Sequence, residues 1–154
     1  VQVSAGNREV SRWTQPLLAP SVQGLAAFIA RPINGVVHLL VQARAEPGLV
    51  DTVEMAPTVQ LPTADGACTV PFLAEVTGAD RTRVRFDALL SEEGGRFHHA
   101  ETRYQVIEAG EEFPVDVPEN YRWMTVGQLM KLLRHGHYLN VEARSPVACV
   151  HSLW

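Results

Sequence analysis

The sequence predicts an α+β domain in which a mixed β-sheet dominates and helices flank it near the C-terminal end. Apolar runs on either side of Asn34-Gly35 indicate a β-hairpin, and a second alternating stretch turns back on itself around a Gly-Gly pair. Thr125 and Gln128 form a capping box ahead of helically spaced leucines. With 154 residues and 46% hydrophobic content, the chain is predicted to form one domain over residues 1–154.

The first third of the chain is predicted to contain a strand pair after a loosely held start. Residues 1–12 are polar and are expected to be extended or frayed, and 13–20 form a covering segment. Strands are predicted at 22–31 and 36–45. Alternation along the second strand gives it one apolar face and one largely polar face. The polar face carries His38, Gln42 and Arg44.

The middle of the chain is predicted to be extended and then irregular. Residues 52–60 form an extended segment in which Glu54, Thr58 and Gln60 share one side. Residues 61–69 are rich in small and turn-forming residues, which indicates a loop, and 70–76 form a short strand.

A long strand pair follows, with 81–91 returning as 96–108. Arginines alternate along its first half, and we expect them to lie on a solvated face. They are Arg81, Arg83 and Arg85, and Asp87 continues the same alternation. Residues 110–120 then form an acidic, proline-containing loop.

The C-terminal part is predicted to be helical. The first helix begins at the Thr125 capping box, has Arg134 in its last turn and stops at Gly136 in a left-handed conformation. A second helix begins at an Asn140 cap, and Pro146 limits its early part.

Composition excludes several classes of function. A net charge of −4 and a pI near 5.8 argue against a general nucleic-acid binder, and no apolar run is long enough to cross a membrane. The two cysteines, Cys68 and Cys149, lack metal-binding spacing and are expected to be reduced thiols of a cytoplasmic protein.

The stretch SEEGGRFHHAETRY at residues 91–104 concentrates titratable groups around a glycine turn, as a pocket that moves protons would. His98 and His99 are adjacent, so on a strand they should point to opposite faces, with one of them in the pocket. The predicted catalytic residues are His98, His99, Glu54 and Tyr104. The alternative to a catalytic role is that a histidine of this pair is a packed or solvated strand residue.

Other polar and aromatic side chains are candidates for binding a substrate. Arginines can hold phosphate oxygens, and tryptophans can stack on a base or cover a sugar. Salt bridges, backbone hydrogen bonds and core anchoring are the alternative roles for the same residues. The predicted binding residues are Trp13, His38, Gln42, Arg44, Thr58, Gln60, Arg96, Glu101, Arg103 and Trp123.

Four segments together carry a resemblance to a known family. They are VVHLLVQARAEPG at 36–48, EMAPTVQ at 54–60, SEEGGRFHHAETRY at 91–104 and YRWMTVGQL at 121–129. The chain resembles the NDP-hexose 2,3-dehydratases of deoxysugar and antibiotic biosynthesis, from EVSRWTQP at 9–16 onward. The resemblance implies a Nudix-like fold and one repeat of the tandem pair that the family normally has.

The resemblance also implies a reaction. The expected enzyme is a carbon–oxygen lyase that eliminates the carbon-2 hydroxyl of a dTDP-4-keto-6-deoxyhexose and leaves a 3,4-diketo sugar. Neither a redox cofactor nor a metal is expected, because the reaction has no net redox change and the chain lacks the Nudix box that holds divalent metal. A single repeat is expected to form a homodimer in imitation of the tandem pair.

Two other functions remain open from the sequence. One is a half-size relative recruited as a cyclase or pericyclase that moulds a polyketide. The other is a module that binds nucleotide sugars without turning them over. An apolar pocket lined by Trp and Met favours the cyclase, whereas an arginine-rich pocket with a stacking ring favours the sugar nucleotide.

Overall fold

In the computed structural model, which describes residues 1–61, 70–94, 96–150 and 153, a mixed sheet is flanked by short helices. The strands are β1 (Gln2–Ser4), β2 (Arg12–Thr14), β3 (Gly24–Ile33), β4 (Val36–Ala45), β5 (Val53–Ala56), β6 (Val59–Leu61), β7 (Val84–Gly94), β8 (Phe97–Glu108) and β9 (Tyr121–Thr125). The helices are α1 (Leu73–Thr77), α2 (Val126–Leu132) and α3 (Val141–Val150), with a 3-10 turn at Arg81–Arg83. The predicted α+β class is confirmed.

Strand order in the main sheet is β5-β4-β3-β8-β7, and within the described chain β6 also pairs with β3 and β9 with β4. The β3–β8 pair is parallel, whereas the other pairs are antiparallel. Asn34 and Gly35 join β3 to β4 with φ of 51° and 78°. Two positive φ values suit the right-handed twist of a hairpin, so the predicted Asn-Gly turn is confirmed.

The start of the chain adopts the extended alternative, because β1 and β2 form a small antiparallel sheet. Two other local predictions are wrong. Residues 73–77 form α1 where 70–76 was predicted to be a strand, since a short apolar run fits either structure. Arg81 and Arg83 lie in the 3-10 turn, so only the later part of 81–91 alternates as a strand.

The C-terminal helices mostly follow the prediction. The Thr125 hydroxyl accepts a hydrogen bond from the Gln128 amide at 3.1 Å, and the Gln128 side chain accepts one from the Thr125 amide at 2.9 Å, which confirms the capping box. The prediction that Gly136 is left-handed is wrong, because helix α2 ends at Leu132 and the left-handed residue is His137, at φ 73°.

Two apolar layers cover the two faces of the sheet. The layer beneath α2 and α3 contains Phe28, Ala30, Leu39, Val41, Val106, Leu129, Leu139, Ala143, Val147 and Val150. The layer on the α1 side contains Ala27, Ile29, Leu40, Val59, Val70, Val76, Ile107, Phe113 and Tyr121. Alternation along β3 and β4 sends neighbouring residues to opposite layers, so apolar side chains of these strands are buried on both faces.

Thr58 lies where strand β3 changes its partner from β4 to β6. Its hydroxyl accepts a hydrogen bond from the Ile29 amide at 2.9 Å and donates one to the Leu40 carbonyl. Strand β4 leaves β3 beyond Leu40 and pairs with β5, while β6 takes its place beside β3. Strand β3 begins at Gly24, opposite Thr102, so the first residues of β8 extend past it. An opening therefore lies between β6 and the start of β8.

No helix in the described residues is long and apolar enough to cross a membrane. Cys149 is half-buried on α3, whereas Cys68, the 62–69 part of the predicted loop and Gly95 lie outside the described residues.

Candidate functional site

A cleft occupies the opening between β6, the start of β8 and the first turn of α3. It consists of two adjoining recesses of about 220 Å³ and about 180 Å³. Glu92 of β7 and Thr102 of β8 line both, so the two recesses are neighbours. The polar residues along the cleft are Glu46, Gln60, Ser91, Glu92, Thr102, Tyr104, Glu142 and Ser145. Segments far apart in sequence thus contribute to one site.

Glu142 is the residue whose ionisation the cleft changes most clearly. Burial in the first turn of α3 raises the pKa of its carboxyl, and the negative charges of Glu46 and Glu92 raise it further. Arg44 acts in the opposite direction but does not reverse the shift. A carboxyl with a raised pKa retains its proton closer to neutrality, so Glu142 is suited to donate one.

Tyr104 lies on β8 beside Glu92, half-buried in the smaller recess. Burial raises the pKa of its phenol above the ordinary value of 10.0, and the charges of Glu142 and Glu92 add to the effect. The phenol therefore stays protonated at neutral pH. It can donate a hydrogen bond to an oxygen that gains negative charge during a reaction.

A chain of hydrogen bonds fixes one wall of the cleft. Asn140 accepts from the Ala143 amide at 3.0 Å, which caps α3, and donates to Gln60 Oε1 at 2.8 Å. Gln60 Nε2 lies 3.5 Å from Glu46 Oε1, which also accepts from Arg44. This network ties α3 to β6 and β4, and so sets where Glu142 stands relative to Glu46.

The arrangement combines a carboxyl that tends to be protonated, two further carboxylates and a neutral phenol. Such a set can donate and accept protons at a bound substrate and stabilise an oxyanion. Within the described ranges, no group of three or more His, Cys, Asp or Glu residues is arranged to hold a metal ion.

A second cavity, of about 600 Å³, lies on the opposite face of the sheet. Helix α1, the 3-10 turn and strands β7 and β8 surround it. Its polar residues are Thr77, Arg81, Asp87, Arg103 and Gln105. Leu25 of β3 lines both this groove and the larger recess of the cleft, so the two cavities are neighbours.

Three of the predicted site residues meet at the cleft. Tyr104 and Gln60 line it, and Arg44 holds its Glu46. Arg103 is exposed and lines the groove instead, where it forms an ion pair with Asp87.

The predicted geometry of the two histidines is wrong. His98 and His99 do not point to opposite faces, because their rings contact each other with centroids 4.1 Å apart. His99 has a φ of 54°, which breaks the alternation of the strand. Both side chains are exposed, and neither lines the described cavities.

Glu54, Thr58 and Gln60 do not share one polar face, contrary to the prediction. The chain leaves β5, which pairs with β4, and enters β6, which pairs with β3. Glu54 is buried with Oε1 4.0 Å from His137 Nδ1, and Thr58 is fully buried where β3 changes its partner. Only Gln60 reaches the cleft.

The remaining predicted binding residues are dispersed. Trp13 donates to Gln15 at 3.4 Å on β2. Trp123 donates to the Val115 carbonyl at 3.0 Å and packs on the α1 side of the sheet. The others are His38, near the β3–β4 turn; Gln42, whose buried Oε1 has no partner in the described chain; and Arg96 and Glu101, both exposed.

Sequence reasoning missed Glu46, Glu92 and Glu142 as site residues. Glu92 belongs to the 91–104 stretch that predicts a proton-moving pocket, but neither it nor Glu46 was singled out as a site residue. An acidic residue in the first turn of a helix is favoured by the helix dipole whatever its function, so Glu142 gave no separate signal. The available signal was indirect, since the predicted Asn140 cap placed Glu142 in the first turn of α3.

Comparisons with known proteins give a family and a set of relatives. A family model described as NDP-hexose 2,3-dehydratase matches residues 1–150. A protein of Saccharopolyspora spinosa named dTDP-4-dehydro-6-deoxy-alpha-D-glucopyranose 2,3-dehydratase is 51% identical over 159 residues, which cover 100% of this chain and 33% of that protein. A Streptomyces violaceoruber protein of the same name is 52% identical, covering 99% of this chain and 35% of its own length. The chain thus spans about a third of these relatives.

Solved structures align with the chain at low identity. The T. brucei MERS1–RNA complex has a TM-score of 0.51 and 13% identity, with 79% of this chain and 57% of that chain covered, which is a likeness of fold alone. A Nudix hydrolase from M. smegmatis, RenU, covers 99% of this chain and 97% of its own, with 18% identity and a TM-score of 0.49.

Proposed function

We propose that this chain, which belongs to the NDP-hexose 2,3-dehydratase family, uses its cleft to eliminate water from a dTDP-4-keto-6-deoxyhexose. The relatives' names specify this substrate class and a 2,3-dehydration. Because the chain covers about a third of each relative, the activity of the 154-residue chain itself is part of the proposal. The observation that carries it is Glu142, half-buried beside two other carboxylates and Tyr104.

The proposed mechanism begins at carbon 3 of the sugar, whose hydrogen is acidified by the neighbouring carbon-4 ketone. Glu92 borders both recesses and takes this proton, which forms an enolate across carbons 3 and 4. The Tyr104 hydroxyl donates a hydrogen bond to the enolate oxygen.

Elimination then breaks the bond between carbon 2 and its hydroxyl. Glu142 supplies the proton with which the hydroxyl leaves as water. The carbon-4 ketone re-forms, a double bond appears between carbons 2 and 3, and the enol at carbon 3 tautomerises to a ketone as carbon 2 gains a proton. The product is the 3,4-diketo sugar, and the balance requires no oxidant or reductant.

The titratable groups of the cleft support acid–base catalysis over the alternative of a cyclase mould. Carboxylates, Thr102 and Tyr104 line the cleft, whereas Trp13 and Trp123 lie elsewhere. A mould that shapes a polyketide would require an apolar wall with few titratable groups.

The test is turnover of dTDP-4-keto-6-deoxyglucose by the parent and by Glu142→Gln, with solvent deuterium exchange at carbon 3 measured in parallel. Loss of the acid should lower product formation by ~10²–10⁴. Exchange should be retained, because proton removal comes first. Glu119→Gln, an exposed change in the 110–120 loop, is the matched control and should behave as the parent.

Two results would contradict these roles. If Glu142→Gln turns over at the parental rate while His98→Gln or His99→Gln is inactive, the histidines carry the chemistry. If the parent binds dTDP but gives neither exchange nor product, the chain is a binding module and not a self-sufficient dehydratase.

We also propose that the chain forms a homodimer and acts in the cytoplasm in deoxysugar and antibiotic biosynthesis. Strand β7 lies at one edge of the described sheet, and its Leu89 is 51% exposed, which supports an association surface. Sedimentation showing a monomer at tens of micromolar would contradict the dimer, and recovery of the protein outside the cytoplasmic fraction would contradict the location.

A further inference from the structure

The groove on the α1 side of the sheet has a volume of about 600 Å³, and the mechanism above does not use it. Its walls alternate apolar and polar groups. Val76 and Val84 supply apolar surface, while Arg81, Asp87 and Arg103 supply charge. A cavity of this size with a few convergent polar groups has the character of a ligand site.

The charge of the groove is positive. Arg103 donates to Asp87 from Nε at 2.8 Å and from Nη2 at 2.5 Å, so this arginine and the aspartate neutralise each other. The hydrogen bonds and charge of Arg103 hold the pKa of Asp87 below its ordinary value, so the carboxylate persists at neutral pH. Arg81 is close enough to act on Asp87 but forms no ion pair with any described residue.

Neighbouring arginines differ from Arg81 in this respect. Arg83 is paired with Glu75 and Arg85 with Glu108, and neither Arg83 nor Arg85 lines the groove. Because Arg81 forms no ion pair with a described residue, its guanidinium is available for an anion, and the planar shape of this group suits phosphate oxygens.

The position of the groove relates it to the cleft. Leu25 lines both cavities, and its Cα is paired in register with that of Arg103 on β8. Leu25, at the start of β3, is therefore a side chain that the larger recess and the groove share.

The two cavities have opposite electrostatic character. The carboxylates of Glu46 and Glu92 line the cleft and would repel a diphosphate. A sugar, which is neutral, carries no such penalty. A nucleotide sugar is matched best when its sugar enters the acidic cleft and its diphosphate lies in the basic groove.

We propose that the groove binds the diphosphate of the nucleotide sugar, with Arg81 and Arg103 as its cationic residues, while Leu25 separates it from the sugar in the cleft. The diphosphate assignment rests on the proposed function, whereas the anion site itself rests on the groove alone. Asp87 holds Arg103 in place, but its negative charge opposes anion binding. Substitutions in the groove should therefore be able to weaken or to strengthen the binding of an anion.

Calorimetric titration with inorganic pyrophosphate at low ionic strength tests the anion site directly. The parent should bind it, and Arg81→Gln should weaken binding about tenfold, the effect of losing one charge-assisted hydrogen bond. Asp87→Asn removes a negative charge from the wall and should tighten binding about twofold or more. Arg85→Gln is the matched control, because this arginine lies outside the groove and pairs with Glu108.

No pyrophosphate binding by the parent, or equal affinities of the parent and Arg81→Gln, would overturn the inference. A second titration with dTDP separates it from the proposed function. If dTDP binds the parent and Arg81→Gln with equal affinity, its diphosphate lies outside the groove, and the proposed nucleotide-sugar substrate is unaffected. If pyrophosphate binds through Arg81 but dTDP does not bind, the anion site stands and the dTDP-sugar substrate is refuted.

Discussion

Replacement of Asn140 by alanine should destabilise the domain more than any change of an exposed asparagine. Asn140 is 3% exposed and joins two structures at once. Its oxygen caps α3 through the Ala143 amide at 3.0 Å, and its nitrogen donates to Gln60 Oε1 at 2.8 Å. Alanine removes both bonds and leaves the Gln60 oxygen buried without a donor.

The magnitude follows from these two losses. A lost N-cap costs about 1 kcal/mol, and a buried acceptor left without a partner costs about 1–3 kcal/mol. The free energy of unfolding should therefore fall by about 2–4 kcal/mol, since Gln60 is only 6% exposed and water has little access to it. For a domain of this size the melting temperature should fall by about 4–16 °C.

Urea denaturation followed by circular dichroism measures the change. Asn140→Ser separates the two contributions, because the serine hydroxyl retains the cap but is too short to replace the donor to Gln60, so its stability should lie between those of the parent and Asn140→Ala. Asn120→Ala, at an exposed position, is the control. If Asn140→Ala and Asn120→Ala differ by less than about 0.5 kcal/mol, the range of ordinary surface substitutions, the network does not hold α3 against β6.

Glu142→Gln should stabilise the fold at pH 7.5 but not at pH 4.5. In the parent, the folded-state pKa of Glu142 is raised above 4.5, so the stability that the protonated Glu142 contributes is complete at low pH and is lost as pH rises through the folded-state pKa. Glutamine, which carries no charge, does not lose stability in this way. Equal urea midpoints for Glu142→Gln and the parent at pH 7.5 would contradict the burial assigned to this carboxyl. Tyr104→Phe should lower turnover by ~10²–10³ with dTDP affinity unchanged, and an unchanged rate would remove the phenol from the mechanism. Gly78→Ala should lower the melting temperature, because its Cβ would lie 2.9 Å from the Ala74 carbonyl oxygen, whereas Gly136→Ala, with open space around it, should not. Turnover should be unaffected by EDTA, since the sequence lacks a Nudix box, and recovery by added magnesium would show that a metal participates.

The family could be predicted from the sequence, and the family model confirms it over residues 1–150. The motifs were sufficient to predict the family because each consists of neighbouring residues, which the sequence shows directly. The catalytic role of His98 and His99 remains a prediction, but their exposed, touching rings give it no support from the cavities. Strand alternation assigned each histidine a face, and one left-handed residue was enough to invalidate that assignment.

The sequence by itself determined the features that depend on adjacent residues. The Asn34-Gly35 turn, the Thr125 capping box and the Asn140 cap are set by local stereochemistry and by hydrogen bonds spanning a few residues. Only the tertiary structure decided that Glu46, Glu92 and Glu142 share one cleft. Strand pairing and helix docking bring these three segments together, and burial and mutual repulsion then change the ionisation of Glu142. Those two effects depend on distance in space, which the order of residues along the chain does not specify.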